Sequence, residues 1–283
     1  MNILWPRAIR LWIIALPLAW LALFLAAPFL MTLAISFGTA TDSAPPFRLD
    51  PPGLGAWHLL TSDSLYLDAF LTSARIAATA TGLTILLGYP MALAIAHAPE
   101  RRRGQLLILV MLPFWTSFLI RIYAWTALLR PSGLINAVLQ ASGLIETPLE
   151  LINNEFAVHL GLVYVYLPFM VLPLYASLEK LDPALEEAAA DLGARPWVNF
   201  LTVTLPLTMP GLAAGALLVF IPASAEFIVP DLLGGPDTNL LGRVIWNEFF
   251  SNRDWPATAA LASTLVAVLA GPILLFQRLQ ARS

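Results

Sequence analysis

The 283-residue sequence contains no cysteine, and charge is scarce, with Asp, Glu, Lys and Arg together making up 12% of the chain. The first absence removes disulfide frameworks, thiolate metal sites, cysteine nucleophiles and cysteine-bound iron–sulfur clusters in one step. The second leaves about half the roughly 25% charge of an average soluble domain. A chain that is 59% hydrophobic, with mean hydropathy +0.77, has too little polar surface to cover itself in water, which rules out an ordinary soluble enzyme. Histidine is limited to His58, His97 and His159, too scattered for a metal cluster, so no metal site is expected. The formal net charge is −3 and the run Arg101-Arg102-Arg103 stands alone, so the chain lacks the footprint of a nucleic-acid binder.

What is present is apolar length. A bilayer core about 30 Å thick needs roughly 20 apolar residues per helix. Six windows of that kind lie between the charge clusters, at about Leu11–Phe37, Phe70–Ala96, Gln105–Leu129, Phe156–Leu178, Met209–Asp231 and Ala257–Leu279. They predict an all-α integral membrane protein of six transmembrane helices, forming one membrane domain over residues 1–283. The first window follows Arg7 and Arg10 and is longer than the roughly 7 to 15 apolar residues of a signal-peptide core, so it reads as an uncleaved helix. With the N-terminus inside, the inner segments hold Arg7, Arg10, Arg101, Arg102, Arg103, Lys180, Arg195, Arg278 and Arg282, against Arg48, Arg130, Arg243 and Arg253 outside. This bias of nine to four places both termini in the cytoplasm.

Every window contains proline: Pro17 and Pro28, Pro90, Pro113, Pro168 and Pro173, Pro222 and Pro230, and Pro272. Interior prolines kink helices, which suits mobile or pathway-lining segments; membrane helices are also simply richer in proline than soluble ones. Between the first two windows, Pro45, Pro46, Pro51 and Pro52 with four aspartates predict a turn-rich outer loop. The stretch Arg130 to Glu155 has room for a short amphipathic helix around Leu134 to Leu144.

The most specific signal is the inner loop between windows four and five, residues 179–208. It reads as helix, turn, helix. Asp182 is suited to N-cap a helix with Pro183 at its first position, and Gly193 can take the left-handed conformation that ends it. Leu181, Leu185, Ala188 and Leu192 form one apolar stripe, decorated by Glu186, Glu187 and Asp191; Pro196 restarts a second short helix that Pro206 is expected to help end. The small side chains of Ala188, Ala189 and Ala190 would let a partner's surface approach closely, and the loop's excess of acids favours a basic rim on that partner. The alternative of a helix lying on the membrane surface fits poorly, because such helices are usually basic and inner leaflets anionic.

Glu187-Ala188-Ala189, three residues, Gly193, nine residues, Val203, one residue, Leu205-Pro206 resembles the EAA loop of permease subunits of binding-protein-dependent ABC importers, whose pattern is EAA-x3-G-x9-I-x-LP. Only the isoleucine differs, replaced here by Val203. The resemblance extends to Phe114–Trp125, to Gly133 with Asn136, and to Phe220–Gly235, where the wording is similar to the spermidine/putrescine permease subgroup. It implies a type I ABC importer permease fold, in which Glu187, Ala188, Ala189, Gly193, Leu205 and Pro206 couple the chain to an ATPase. It also implies two ATP-binding subunits, a second permease subunit beside this one in the bilayer, and an extracytoplasmic binding protein that delivers the solute. Because the sequence has no G-x-x-x-x-G-K-[ST] phosphate loop, ATP and Mg are expected on the partner ATPase and no cofactor on this chain.

Arg75, Arg121 and Glu226 fall inside windows, where charge is expensive and should be paired or face a wet pathway. Counting helical rise puts Arg121 about 24 Å and Glu226 about 26 Å from the inner starts of their spans, with Arg75 at a comparable level, so that one cluster of the three could form. Two readings follow. Glu226 attracts a cationic solute, with Trp115, Tyr123 and Trp125 offering cation–π faces and Arg121 and Asp231 nearby, or Arg121 and Glu226 are an ion pair that stabilises packing. The leading function is a non-catalytic permease subunit of an ATP-driven importer for a small solute, with a polyamine favoured over an amino-acid-like compound or a metal complex. A secondary transporter would be expected to show inverted halves and midplane ion ligands. A membrane enzyme would need catalytic carboxylate pairs, a histidine cluster or a nucleophile elbow, and none is seen.

Overall fold

Proline and glycine decide how the apolar windows become helices. In the computed structural model, which describes residues 7–280, fourteen α-helices and one small hairpin follow one another. Arg282, one of the nine inner basic residues, lies outside the described residues. Helices α1 (Arg7–Leu21) and α2 (Ala27–Ile35) are joined without a break by a π-helical turn, Ala22–Ala26. Strands β1 (Thr39–Ala40) and β2 (Phe47–Arg48) pair antiparallel, Thr39 opposite Arg48, and α3 (Gly55–Ser62) follows. Helix α4 (Ser64–Ala96) starts six residues before its window and, with 33 residues, is about 50 Å long, more than a bilayer core requires.

The third window is not one straight helix. Helix α5 (Glu100–Met111) runs into a 3-10 turn, Leu112–Trp115, and α6 (Phe118–Leu129) restarts after two extended residues, Thr116 and Ser117. The two halves meet at 86°. Pro113 cannot donate the bond that would continue the helix, and its ring crowds the preceding turn. The amphipathic helix expected after it is α7 (Leu134–Ala141). Helix α8 (Glu155–Leu178) is capped by Asn154, whose side chain accepts from the Ala157 amide at 2.9 Å.

The loop expected after α8 folds as α9 (Pro183–Asp191) and α10 (Pro196–Asn199). A π-helical turn, Phe200–Thr204, then leads directly into α11 (Leu205–Ser224). Pro206 therefore does not end a helix; it lies where the π-helical turn passes into α11. The fifth window ends at Ser224 rather than Asp231, because the ring of Pro230 would meet the carbonyl of Glu226 in a continuous helix. The chain instead breaks at residues 225–227 and restarts as α12 (Ile228–Leu233). Two further helices follow, α13 (Leu241–Phe250), amphipathic and not anticipated from sequence, and α14 (Trp255–Gln280). Among the described residues, five helices are long and apolar enough to cross a bilayer, or six with the bent α5–α6 pair counted as one span.

The chain divides into two units. The first comprises residues 7–67 with 245–268. In it Phe47 and Phe249 both stack on Trp255, with ring centroids 5.9 and 5.1 Å away, and the buried Glu248 accepts from Tyr66 at 3.0 Å and Asn252 at 2.9 Å. The second comprises residues 68–244 with 269–280, and α8 is its centre: Leu162, Met170, Val171 and Leu174 are wholly buried. Helix α11 lies close against α8 because Gly211 and Gly215, one turn apart, present no side chain there. A Cβ at Gly215 would sit 2.9 Å from the Met170 sulfur, and one at Gly211 would collide with Ser177 and the Pro173 carbonyl. This small-x-x-x-small spacing is the usual device for close approach of membrane helices.

Candidate functional site

The loop between α8 and α11 forms an exposed knob. Asp182 accepts from the Ala184 amide at 3.0 Å, and Gly193, with φ +84°, reverses the chain after α9, a conformation that a β-branched residue resists. Glu187 and Ala188 are exposed and Ala189 half-buried. The apolar stripe divides: Leu181 packs against the core, while Leu185 is open and Leu192 is 90% exposed, and Trp197 on α10 is exposed too. Water is a poor neighbour for such a patch, so it suits a protein partner. Among the described residues, Glu186 supplies α9's side-chain bonds to its neighbours. Its carboxylate accepts from Thr204 at 2.8 Å and stands 3.5 Å from His97 Nε2, while its carbonyl accepts from Asn199 at 3.1 Å. Leu205 packs against the core and Pro206 is exposed.

The charges inside the windows do not meet as expected. Arg121 and Glu226 form no ion pair, and the expected cluster with Arg75 is absent among the described residues. Arg121, nearly buried, turns back across the break in its own span and donates from Nη1 to the carbonyls of Pro113 and, at 3.1 Å, Thr116, with its guanidinium over the Phe114 ring at 5.2 Å. The cation thus lies on the carbonyl end of the first half-helix, adding to the bonds that the Pro113 carbonyl already accepts from the Thr116 amide and hydroxyl. Glu226 lies in the other break. Its Oε1 accepts from the Phe227 and Ile228 amides at 3.1 and 3.0 Å, capping α12, and its Oε2 accepts from Tyr166 at 2.6 Å. Arg75 pairs with Glu155 at 2.6 and 2.8 Å, and Asp231 with Arg243 at 3.3 Å. Depth counted along straight helices fails here because both residues sit at or beyond a break.

Nor do the aromatic residues enclose Glu226. Trp125 packs edge-on against Tyr164 at 5.5 Å, while Trp115 and Tyr123 are exposed. Stability should report the separation of the two charges directly. In a double-mutant cycle, Arg121→Gln and Glu226→Gln should be additive to within about 0.5 kcal/mol. A coupling energy of several times that, measured by unfolding of the purified complex, would contradict the geometry.

The family model described as binding-protein-dependent transport system inner membrane component matches residues 8–282. The chain belongs to this family. This permease is 43% identical over 262 residues to the spermidine/putrescine transport system permease protein PotB of Salmonella typhimurium, covering 92% of this chain and 89% of that one. It is 42% identical to the protein of the same name from Escherichia coli, covering 92% and 93% of the two chains. A bacterial ABC transporter that imports the acidic polysaccharide alginate has a chain of the same fold, with TM-score 0.71 over 96% of both chains at 20% identity. The permease is thus a mostly helical inner-membrane protein with the importer-permease fold, and a component of a transport system.

The sequence marks Glu186 only as decoration on the loop and His97 only as a scattered histidine, and Thr204 not at all. Nothing in their local spacing marks them, because they lie on three different elements. Thr204 and Thr208, one turn apart at the entry to α11, are both buried.

Proposed function

We propose that this permease is the membrane-spanning subunit of an ATP-driven polyamine importer, and that its loop, residues 179–208, docks into a groove of a cytoplasmic ATPase subunit. The observation that carries the docking reading is the open apolar patch of Leu185, Leu192 and Trp197 beside the acidic Glu187, at the position of the EAA pattern. Two ATPase subunits hold ATP and Mg, in keeping with the missing phosphate loop in this sequence, and this chain carries no cofactor of its own. A second permease subunit completes the pathway, and a binding protein delivers the solute from the other side. Both termini are cytoplasmic, as the nine-to-four basic bias favours. The polyamine assignment is supported by 43 and 42% identity to the PotB proteins. Glu226 has its acceptors occupied, so Trp115 and Tyr123 are the open aromatic faces for a substrate ammonium.

Leu192→Asp places an acid on the patch and Gly193→Ile opposes the left-handed turn. Each should weaken ATPase association at least about tenfold, as expected for a central interface anchor, while membrane insertion continues. Copurification with the ATPase subunits and solute-stimulated hydrolysis are the measurements. Normal association in both variants would remove the loop from the docking site. Titration of the cognate binding protein with spermidine and putrescine tests the solute, and failure to bind either would overturn the polyamine reading.

A further inference from the structure

Two lines of contact leave the loop and converge on one residue, Tyr89 of α4. The first is polar. Thr204 donates to the Glu186 carboxylate at 2.8 Å, and the Thr204 carbonyl accepts from the Thr208 hydroxyl, also at 2.8 Å. Thr208 and the Tyr89 hydroxyl lie 2.6 Å apart. A hydroxyl has one proton to give. Since Thr208 gives its own to the Thr204 carbonyl, Tyr89 is the donor to Thr208, and the chain has one consistent direction from α4 to α9. The second line is aromatic: exposed Trp197 stacks on Phe200 at 5.6 Å, and Phe200 meets the Tyr89 ring edge-on at 5.2 Å.

We infer that Tyr89 is the positioning residue through which movement of the loop is delivered to α4, by the Glu186–Thr204–Thr208 and Trp197–Phe200 linkages acting together. This rests on the reading that the loop docks an ATPase. Thr204, Thr208 and Tyr89 are buried and Glu186 is half-buried, so parting the Tyr89–Thr208 pair strands both hydroxyls without water to replace the partner. The connection therefore resists stretching, and α9 carries α4 with it rather than sliding past. Its middle is the π-helical turn Phe200–Thr204, which places Phe200 against Tyr89 and points the Thr204 hydroxyl at Glu186. Such turns recur at functional positions within helices.

The experiment uses the assembled importer in lipid, with both permease chains, the ATPase subunits and the binding protein. Solute imported per ATP hydrolysed should fall about three- to tenfold in Tyr89→Phe and in Thr208→Val, the effect of losing one buried hydrogen bond from the transmission step. The two together should do no more than either alone, because they cut the same line. Glu186→Gln keeps an acceptor for Thr204 and should retain the wild-type ratio, whereas Glu186→Leu should not. Unchanged ratios in Tyr89→Phe and Thr208→Val, with ATPase subunits bound normally, would overturn the inference while leaving the docking reading intact. Failure of the docking reading shows separately, as normal ATPase association in Leu192→Asp and Gly193→Ile.

A direct measurement covers the case in which these variants assemble poorly. The chain has no cysteine, so spin labels can be placed at exposed Ala190 in α9 and Leu86 in α4. The distance between them should be the same in the nucleotide-free and ATP-bound wild-type complex. A change larger than the reach of the labels would show that α9 moves independently of α4 and would overturn the inference.

Discussion

Glu226→Leu should cost this permease about 3–6 kcal/mol of stability. Three donors lose their acceptor at once: the Tyr166 hydroxyl and the amides of Phe227 and Ile228. Each donor that loses its bond in this half-buried site costs about 1–2 kcal/mol. The loss should also free the start of α12, so the break after α11 loses its defined geometry. Glu226→Gln retains an acceptor and should cost much less, and Tyr166→Phe should cost only about one donor's share. Denaturant titration of the purified complex, followed by tryptophan fluorescence, gives the comparison. A Glu226→Leu variant as stable as the parent would mean that these donors find other acceptors and that the carboxylate is free for another role.

Gly211→Leu is expected to have the next largest effect. Its side chain would be driven into Ser177 and the carbonyl of Pro173, both on α8, the most buried helix of its unit. Helix α8 cannot give way without disturbing residues that have no exposed surface, so the cost should reach or exceed the upper end of the roughly 1–3 kcal/mol usual for overpacking. Gly215→Leu meets the flexible Met170 sulfur first, with the Met170 carbonyl oxygen and Cα next at 3.2 and 3.3 Å, and should cost less than Gly211→Leu, whose Cβ falls on atoms that are nearer. The control is Gly82→Leu in α4, where an added Cβ meets nothing within 4 Å; it should be within about 0.5 kcal/mol of the parent, as surface substitutions usually are. If Gly211 and Gly82 behaved alike, the close approach of α8 and α11 would not be a source of stability.

The parts of the site that could be read from sequence share a local origin. Asp182, Pro183 and Gly193 act on amides and carbonyls within a few residues, so their pattern survives in any correct alignment of residues to a helix. The proline breaks were legible as kinks but not in size. The same residue type leaves α8 unbroken at Pro168 and Pro173, yet coincides with an 86° bend at Pro113. What differs is tertiary. Arg121 folds back onto the carbonyls of Pro113 and Thr116 at the bend, while Pro173 lies where Gly211 lets α11 pack closely against it. The aromatic faces were legible as residues but not in their surroundings: Trp125 packs edge-on against Tyr164, whereas Trp115 and Tyr123 stay exposed.

Composition and period determined that this protein is a helical membrane chain with six apolar segments, because transfer to lipid depends on which residues are present over about 20 positions and not on their neighbours in space. Short-range geometry determined the helix–turn–helix loop and its exposed EAA pattern. The partners of Arg121, Glu226 and Arg75 were decided only by the tertiary structure. Successive residues on a helix point about 100° apart, so similar depth says nothing about whether two side chains face each other, and a break such as those at residues 116–117 and 225–227 turns the following residues onto a new axis. Folding gave each charge a partner nearer in the chain or on a different helix: carbonyls five and eight residues back for Arg121, two adjacent amides and a tyrosine for Glu226, and Glu155 for Arg75.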